Sequence, residues 1–172
     1  MPVELALLPF IESQFDPYAQ SATGASGIWQ FILSTAREQK LKKNWWYDGR
    51  RDIVASTDAA YDYLIKLHSK YDDWLLAIAG YNAGPNRISK EIKKNKSKGL
   101  PIDFWSLNLP KETKAYVPKL LALIEVIKNP EKFSVVIPNL PNRPYFQLVT
   151  LPSQVDLMQV ANISGLKLEV IY

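Results

Sequence analysis

Apolar residues crowd the first eleven positions and then recur at helical spacing through three later stretches. Val3, Leu5, Ala6, Leu7, Leu8, Phe10 and Ile11 are apolar on every side and Pro2 suits a first helical turn, so the pattern predicts a helix buried all round. Pro9 cannot donate to the carbonyl of Leu5, which predicts a kink or a short first segment. Asp16-Pro17 marks the exit, and the run from Ala19 to Gln30, small and glycine-bearing, predicts a loop whose backbone passes close to another element. Thr35 and Glu38 have capping-box spacing for a short helix reaching Leu41.

Asp52 is placed to cap a helix in which Ile53, Ser56, Ala60, Leu64, Leu67 and Tyr71 fall on one face. Trp74 to Tyr81 continues the helical reading, and Asn82-Ala83-Gly84-Pro85 combines a helix stop with a new first-turn proline, predicting a helix from Pro85 to Lys94. Pro110 opens a last long helix, bent at Pro118, with Val117, Leu120, Leu121, Ile124 and Ile127 facing inward. Beyond Phe133 the texture changes. Pro138, Pro141, Pro144 and Pro152 predict a linker around a short strand from Tyr145 to Leu151, followed by a helix opened by Ser153 and Asp156 and a returning strand from Leu166 to Tyr172. The expected organisation is a helical domain over residues 1–135 and a proline-rich linker with an incomplete strand-helix-strand tail over 136–172. Both ends read as cut from a longer polypeptide.

The 172 residues are 47% apolar, enough for a packed core. A formal charge of +4 and a pI of about 9.1 suit any anionic polymer, and no nucleic-acid motif accompanies them, so nucleic acid is not an expected partner. Without cysteine the sequence offers no disulfide, thiolate metal site or thiol nucleophile. Glu4 and Pro9 interrupt the leading apolar run, which lacks a basic leader and reads as neither signal peptide nor membrane span. His68, the sole histidine, is expected to be structural or exposed. Trp45 and Trp46, beside Lys42, Lys43, Arg50 and Arg51, read as a packed loop, with sugar rings or peptide carboxylates as the alternative ligands.

Glu12 carries the first chemical signal. A carboxyl that ends an apolar helical run loses hydration, which disfavours its charged form and moves it toward the range of a general acid. The plainer alternative is a helix-end glutamate reaching solvent. Its company changes that balance: Glu12-Ser13-x-Phe15-x-Pro17 is followed by Ser21-x-x-Gly24-Ala25-Ser26-Gly27-Ile28-Trp29-Gln30-Phe31, by Gly80-Tyr81-Asn82-Ala83-Gly84-Pro85, and by Glu112-Thr113-Lys114-Ala115-Tyr116-Val117-Pro118-Lys119. Four such blocks in this order, over residues 1–135, resemble the lytic transglycosylase family.

That resemblance implies a mainly α, lysozyme-like fold of the α+β superfamily and cleavage of peptidoglycan glycan strands with no metal or organic cofactor. It maps the family's single catalytic carboxyl onto Glu12, acting as acid and then base to leave a 1,6-anhydromuramyl end. Ser21 matches a serine that binds the muramyl N-acetyl region. Gln30 either orients Glu12 or binds sugar, and Tyr81 matches a cleft tyrosine whose hydroxyl reaches the carboxyl or the oxygen under attack. Asn82 either binds glycan or ends its helix. Glu112 and Tyr116, four apart and so on one helix face, fall along the groove. The resemblance also implies the periplasm or an outer-membrane-associated envelope, membrane association only through regions outside this sequence, and a monomer. The alternatives are a hydrolytic muramidase of the same fold and a non-catalytic peptidoglycan-binding module.

Overall fold

The computed structural model describes residues 1–144 and 149–171. Its backbone falls into two units, Met1–Ile137 and Pro138–Tyr172.

The first unit opens with a 3-10 segment, Val3–Leu7, that passes into α1, Leu8–Ser13, with Pro9 in the first turn. Proline is tolerated there because its missing N–H would have no helical partner. The expectation of a helix buried all round is corrected: Leu5 and Leu8 are buried, but Val3 is 82% exposed and Phe10 about half exposed. The short element has only one side against the core. The helix ends at Gln14, in a left-handed conformation.

Residues 14–32 form the predicted loop, held by isolated bridges between Gln20 and Ser26 and between Ser26 and Phe31. Gly27 has φ +79° and lies against the Arg50 carbonyl so closely that a Cβ would collide with it, the close backbone approach that the small residues suggested. The α2 helix, Leu33–Glu38, has Ile32 at its N-cap with no side-chain cap, so the capping box is corrected: Thr35 is inside the helix, and the helix stops short of Leu41.

The remaining helices are α3 (Ile53–Tyr71), α4 (Trp74–Ala83), α5 (Pro85–Lys96) and α6 (Lys111–Lys128). Asp52 caps α3 by accepting from the Ala55 N–H at 2.9 Å, and Asp73 caps α4 through Leu76 N–H at 2.9 Å. The α4 helix is the hub, packing on α3, α5 and α6. Its small residues Ala77, Ala79 and Gly80 are buried, and Gly80 lets Leu67 and Tyr71 of α3 come close. Trp29 from the loop is buried beside α3 and donates its indole N–H to Thr57 Oγ1 at 2.9 Å. Val117 and Leu120 of α6 are fully buried. Leu121 and Ile127, expected on the same inner face, are 38% and 40% exposed, because the buried stripe of α6 narrows to Thr113, Tyr116, Val117 and Leu120.

In the second unit Asp156 caps α7, Leu157–Ser164, by accepting from Met158 N–H. Gly165, at φ +69°, ends it. Leu168–Ile171 is a four-residue helix, α8, in place of the returning strand expected there; Leu and Glu favour a helix wherever no sheet partner fixes a strand. Tyr145–Leu148, most of the other expected strand, lie outside the described residues, and Val149–Leu151 are irregular.

Candidate active site

Glu12 occupies the last turn of α1, and the turn is fixed by its neighbour: Ser13 Oγ donates to the Ile28 carbonyl at 3.0 Å, tying α1 to the loop. The Glu12 carboxyl then faces a cleft of about 630 Å³ between the loop, α2, and the junction of α4 and α5. Ser21, Gln30, Tyr81, Asn82 and Glu112 line the same cleft, so residues spread over a hundred positions converge on one space. Tyr116 does not line it but reaches Glu12 from α6, its hydroxyl donating to Oε1 at 2.5 Å.

Burial is the largest influence on Glu12 and pushes its pKa up to about 7; the negative charge of Glu112 pushes the same way, and the Tyr116 hydrogen bond opposes both. A carboxyl in that range holds a proton part of the time at neutral pH. It can therefore both give and take one.

The aromatic wall is a cluster of Phe31, Tyr63 and Tyr81, with ring centroids 5.7 to 6.4 Å apart. Tyr81 donates to the Trp29 carbonyl at 2.8 Å, so its hydrogen is engaged in the scaffold and the direct bond to Glu12 comes from Tyr116. The Tyr81 phenol is pushed well above its ordinary pKa by burial and by the Glu12 charge, so it stays neutral with its oxygen available as an acceptor.

Gln30 adopts φ +49° and donates through Nε2 to the carbonyls of Ala19 and Gly27, at 3.2 and 2.8 Å. Its amide nitrogen therefore holds the loop in shape, and the reading in which that amide orients Glu12 is replaced by one in which it orders the cleft wall. Ser21 Oγ accepts from Ala25 N–H and lies 3.0 Å from Thr23 Oγ1, within a tight turn on the cleft edge.

Asn82 is held between two α6 residues. Its Nδ2 donates to Glu112 Oε1 at 3.1 Å, and its Oδ1 accepts from Thr113 Oγ1 at 2.8 Å. Thr113 is buried and escapes the sequence reading, although its place between Glu112 and Tyr116 in the last block was the available signal. Arg50, placed by the sequence reading in a packed loop, is buried, forked onto Asp48 and donating to the Gly24 and Phe31 carbonyls. It braces the loop that carries Ser21 and Gln30.

A helical frame with a desolvated glutamate beside an open, polar cleft fits a lysozyme-like fold. Residues 1–102 match the transglycosylase SLT domain family model, and the chain belongs to that family. It is 48% identical over 167 residues to membrane-bound lytic murein transglycosylase D of Escherichia coli K12, a match that covers 96% of this chain and 37% of that protein. Membrane-bound lytic murein transglycosylase F of Desulfosudis oleivorans is 32% identical over 59% of this chain and 22% of its own length. Peptidoglycan transglycosylase gp16 of phage T7 is 34% identical over 73% of this chain and 9% of its own. The chain thus spans little more than a third of the first of these relatives.

Proposed function

We propose that the chain is the catalytic part of a lytic transglycosylase acting on peptidoglycan, with Glu12 as its single acid and base. The observation that carries this reading is the burial of Glu12 at the cleft, with Tyr116 as its hydrogen-bond donor and a pKa of about 7. Protonated Glu12 gives its proton to the oxygen joining C1 of N-acetylmuramic acid to C4 of N-acetylglucosamine. The C1–O bond breaks and the glucosamine leaves as an alcohol. The Glu12 carboxylate then takes the proton of the muramyl C6 hydroxyl as that oxygen bonds to C1, closing the 1,6-anhydro ring and restoring the acid. No water enters the product.

Ser21, Gln30, Tyr81, Asn82 and Glu112 are proposed to position the glycan, and Tyr116 to hold Glu12. The Asn82 carboxamide, locked by Thr113 and Glu112, suits a sugar hydroxyl or N-acetyl group at a fixed angle. Action as a monomer is proposed as well. Residues 1–135 are the proposed catalytic domain, and the Pro138–Tyr172 unit is proposed as a spacer. The compartment proposed is the periplasm or the outer-membrane-associated envelope, where the polymer lies. Among the described residues no helix is long and apolar enough to cross a membrane.

A hydrolytic muramidase has one observation in its favour, since Glu38 and Glu112 also line the cleft and paired carboxylates are what hydrolysis uses. Digesting purified sacculi and weighing the soluble sugars separates the two. Anhydromuramyl ends support the proposal, and reducing ends, heavier by one water, support the muramidase.

A further inference from the structure

The segment from Lys42 to Asp52 stands outside the cleft and has no part in the chemistry above. The sequence reading placed Trp45 and Trp46 in a packed loop. The structure corrects this, leaving them 88% and 90% exposed. Two indoles held in water need a reason, because that much apolar surface is ordinarily buried.

The loop that carries them is a built one. The Asn44 carboxamide accepts from the backbone N–H groups of Trp46 and Tyr47, at 2.8 Å each; Asn44 N–H donates to the Tyr47 carbonyl, and Gly49 N–H to that of Lys42. Lys43 and Asp48 pair as a backbone bridge. Local hydrogen bonds thus fix the backbone that presents the indoles, which lowers the entropic cost of any contact they make.

Trp45 stands between two concavities of about 440 and 550 Å³, and Trp46 lines the larger. Exposed Tyr18 borders that larger hollow as well. The segment holds four cations against two carboxylates, and both carboxylates are engaged internally: Asp48 by Arg50 and Lys43, Asp52 by the α3 N-terminus and the Tyr47 hydroxyl. Arg50 is buried against Asp48, so the outward face is aromatic and carries the exposed cations Lys42, Lys43 and Arg51, the last also donating through Nε to Ser26 Oγ at 3.2 Å.

Two elements separate this surface from the cleft. Thr35 and Glu38 of α2 line the cleft while Leu33 and Arg37 line the smaller Trp45 hollow. Likewise Ser21 and Thr23 line the cleft while Tyr18 and Gln20, just before them, line the larger hollow. Where α2 forms the partition it is one helix thick, roughly 10 Å.

We propose that the Trp45–Trp46 loop is a second binding site for peptidoglycan, in which the indoles stack on sugar rings while Lys43 and Arg51 pair with carboxylates of the stem peptides. A β-linked pyranose with equatorial substituents presents flat C–H faces, which complement the negative face of an indole. Concave grooves with aromatic walls carried on a hydrogen-bonded backbone fit rings and peptides of that size; a lipid surface would meet a convex apolar edge. This inference rests on the peptidoglycan reading of the cleft.

The test uses the full chain. Pelleting with purified sacculi is measured in a Glu12→Gln background, so that the polymer is not consumed, with and without Trp45→Ala plus Trp46→Ala. The expected result is binding about tenfold weaker without the indoles, the loss typical of an aromatic anchor, and no change in melting temperature. Restored to Glu12, the tryptophan variant is expected to cleave a short soluble tetrasaccharide as the parent does. Lys43→Gln plus Arg51→Gln is expected to weaken binding to peptide-bearing sacculi and to spare binding to peptide-stripped glycan. Unchanged sacculus binding in the tryptophan variant overturns the proposal, as does tryptophan-dependent binding to anionic phospholipid vesicles with none to sacculi. An equal loss on the tetrasaccharide also overturns it. Cleavage by the parent with binding indifferent to the tryptophans sinks this site and leaves the catalytic reading standing; tryptophan-dependent binding with no cleavage does the reverse.

Discussion

Tyr116 donates its phenolic hydrogen to Glu12 across 2.5 Å, joining the last long helix to the first over 104 residues of chain. The bond favours the charged carboxylate, while burial and the nearby Glu112 charge favour the neutral acid, and the balance lies near pH 7. Glu12 is thereby held between two protonation states by residues from opposite ends of the domain.

Removing either partner moves that balance in a known direction. Tyr116→Phe deletes the bond that lowers the Glu12 pKa, so the fall in kcat as pH rises through that pKa shifts to higher pH. Glu112→Gln deletes a charge that raises it, and the fall shifts to lower pH. A pH profile of turnover on soluble glycan checks both, and shifts of the same sign in the two variants would contradict the assignment.

A raised carboxyl pKa also has a cost in stability. Between the unfolded value of about 4.5 and the folded value of about 7, the native state retains a proton that the unfolded chain has lost, so Glu12 stabilises the fold fully at low pH and less as pH rises through 7. The difference amounts to about 3 kcal/mol. Glu12→Gln is therefore expected to gain stability relative to the parent between pH 4 and pH 8, measured by urea melts at each pH.

Thr113→Val keeps the volume of a buried side chain and removes the hydroxyl that fixes Asn82. Its expected cost is about 1–2 kcal/mol in a urea melt. Because the freed Asn82 carboxamide can rotate, KM for soluble glycan is expected to rise more than kcat falls.

Two glycines of the cleft loop differ in what a methyl group would meet. Gly24 has φ +84° with open space around it, so Gly24→Ala carries only backbone strain, roughly 1–2 kcal/mol. Gly27 has φ +79° and abuts the Arg50 carbonyl, so Gly27→Ala must displace backbone and is expected to lose at least about 4 kcal/mol. Thermal melts of the two variants separate these effects.

Local chemistry made much of the frame legible. Asp52 and Pro85 mark helix starts through a side-chain cap or a fixed φ, and the structure begins helices there, whereas the Ser153-x-x-Asp156 spacing put the tail helix three residues early because Asp156 is itself the cap. The spacing of Ala60, Leu64 and Leu67 likewise identified the buried face of α3. Thr35 misled because its cap geometry needs a non-helical backbone, and its own segment was already helical. Val3 and Phe10 misled because an apolar run says nothing of how many sides have a partner. The site divides along the same line: Glu12 and Asn82 stood out within short blocks, but the Tyr116 bond to Glu12, the Tyr81 bond to Trp29 and the burial of Arg50 arise only when distant segments meet. No spacing in the sequence encodes them.

The central claim is that Glu12 alone moves the proton and that no water enters the product. Digesting sacculi in heavy-oxygen water with the parent and with Glu12→Gln, then weighing the released muropeptides, tests both parts at once. The account predicts unlabelled anhydromuramyl ends from the parent and their near-complete loss in the variant; labelled reducing ends, or release by Glu12→Gln at the parent rate, would contradict it.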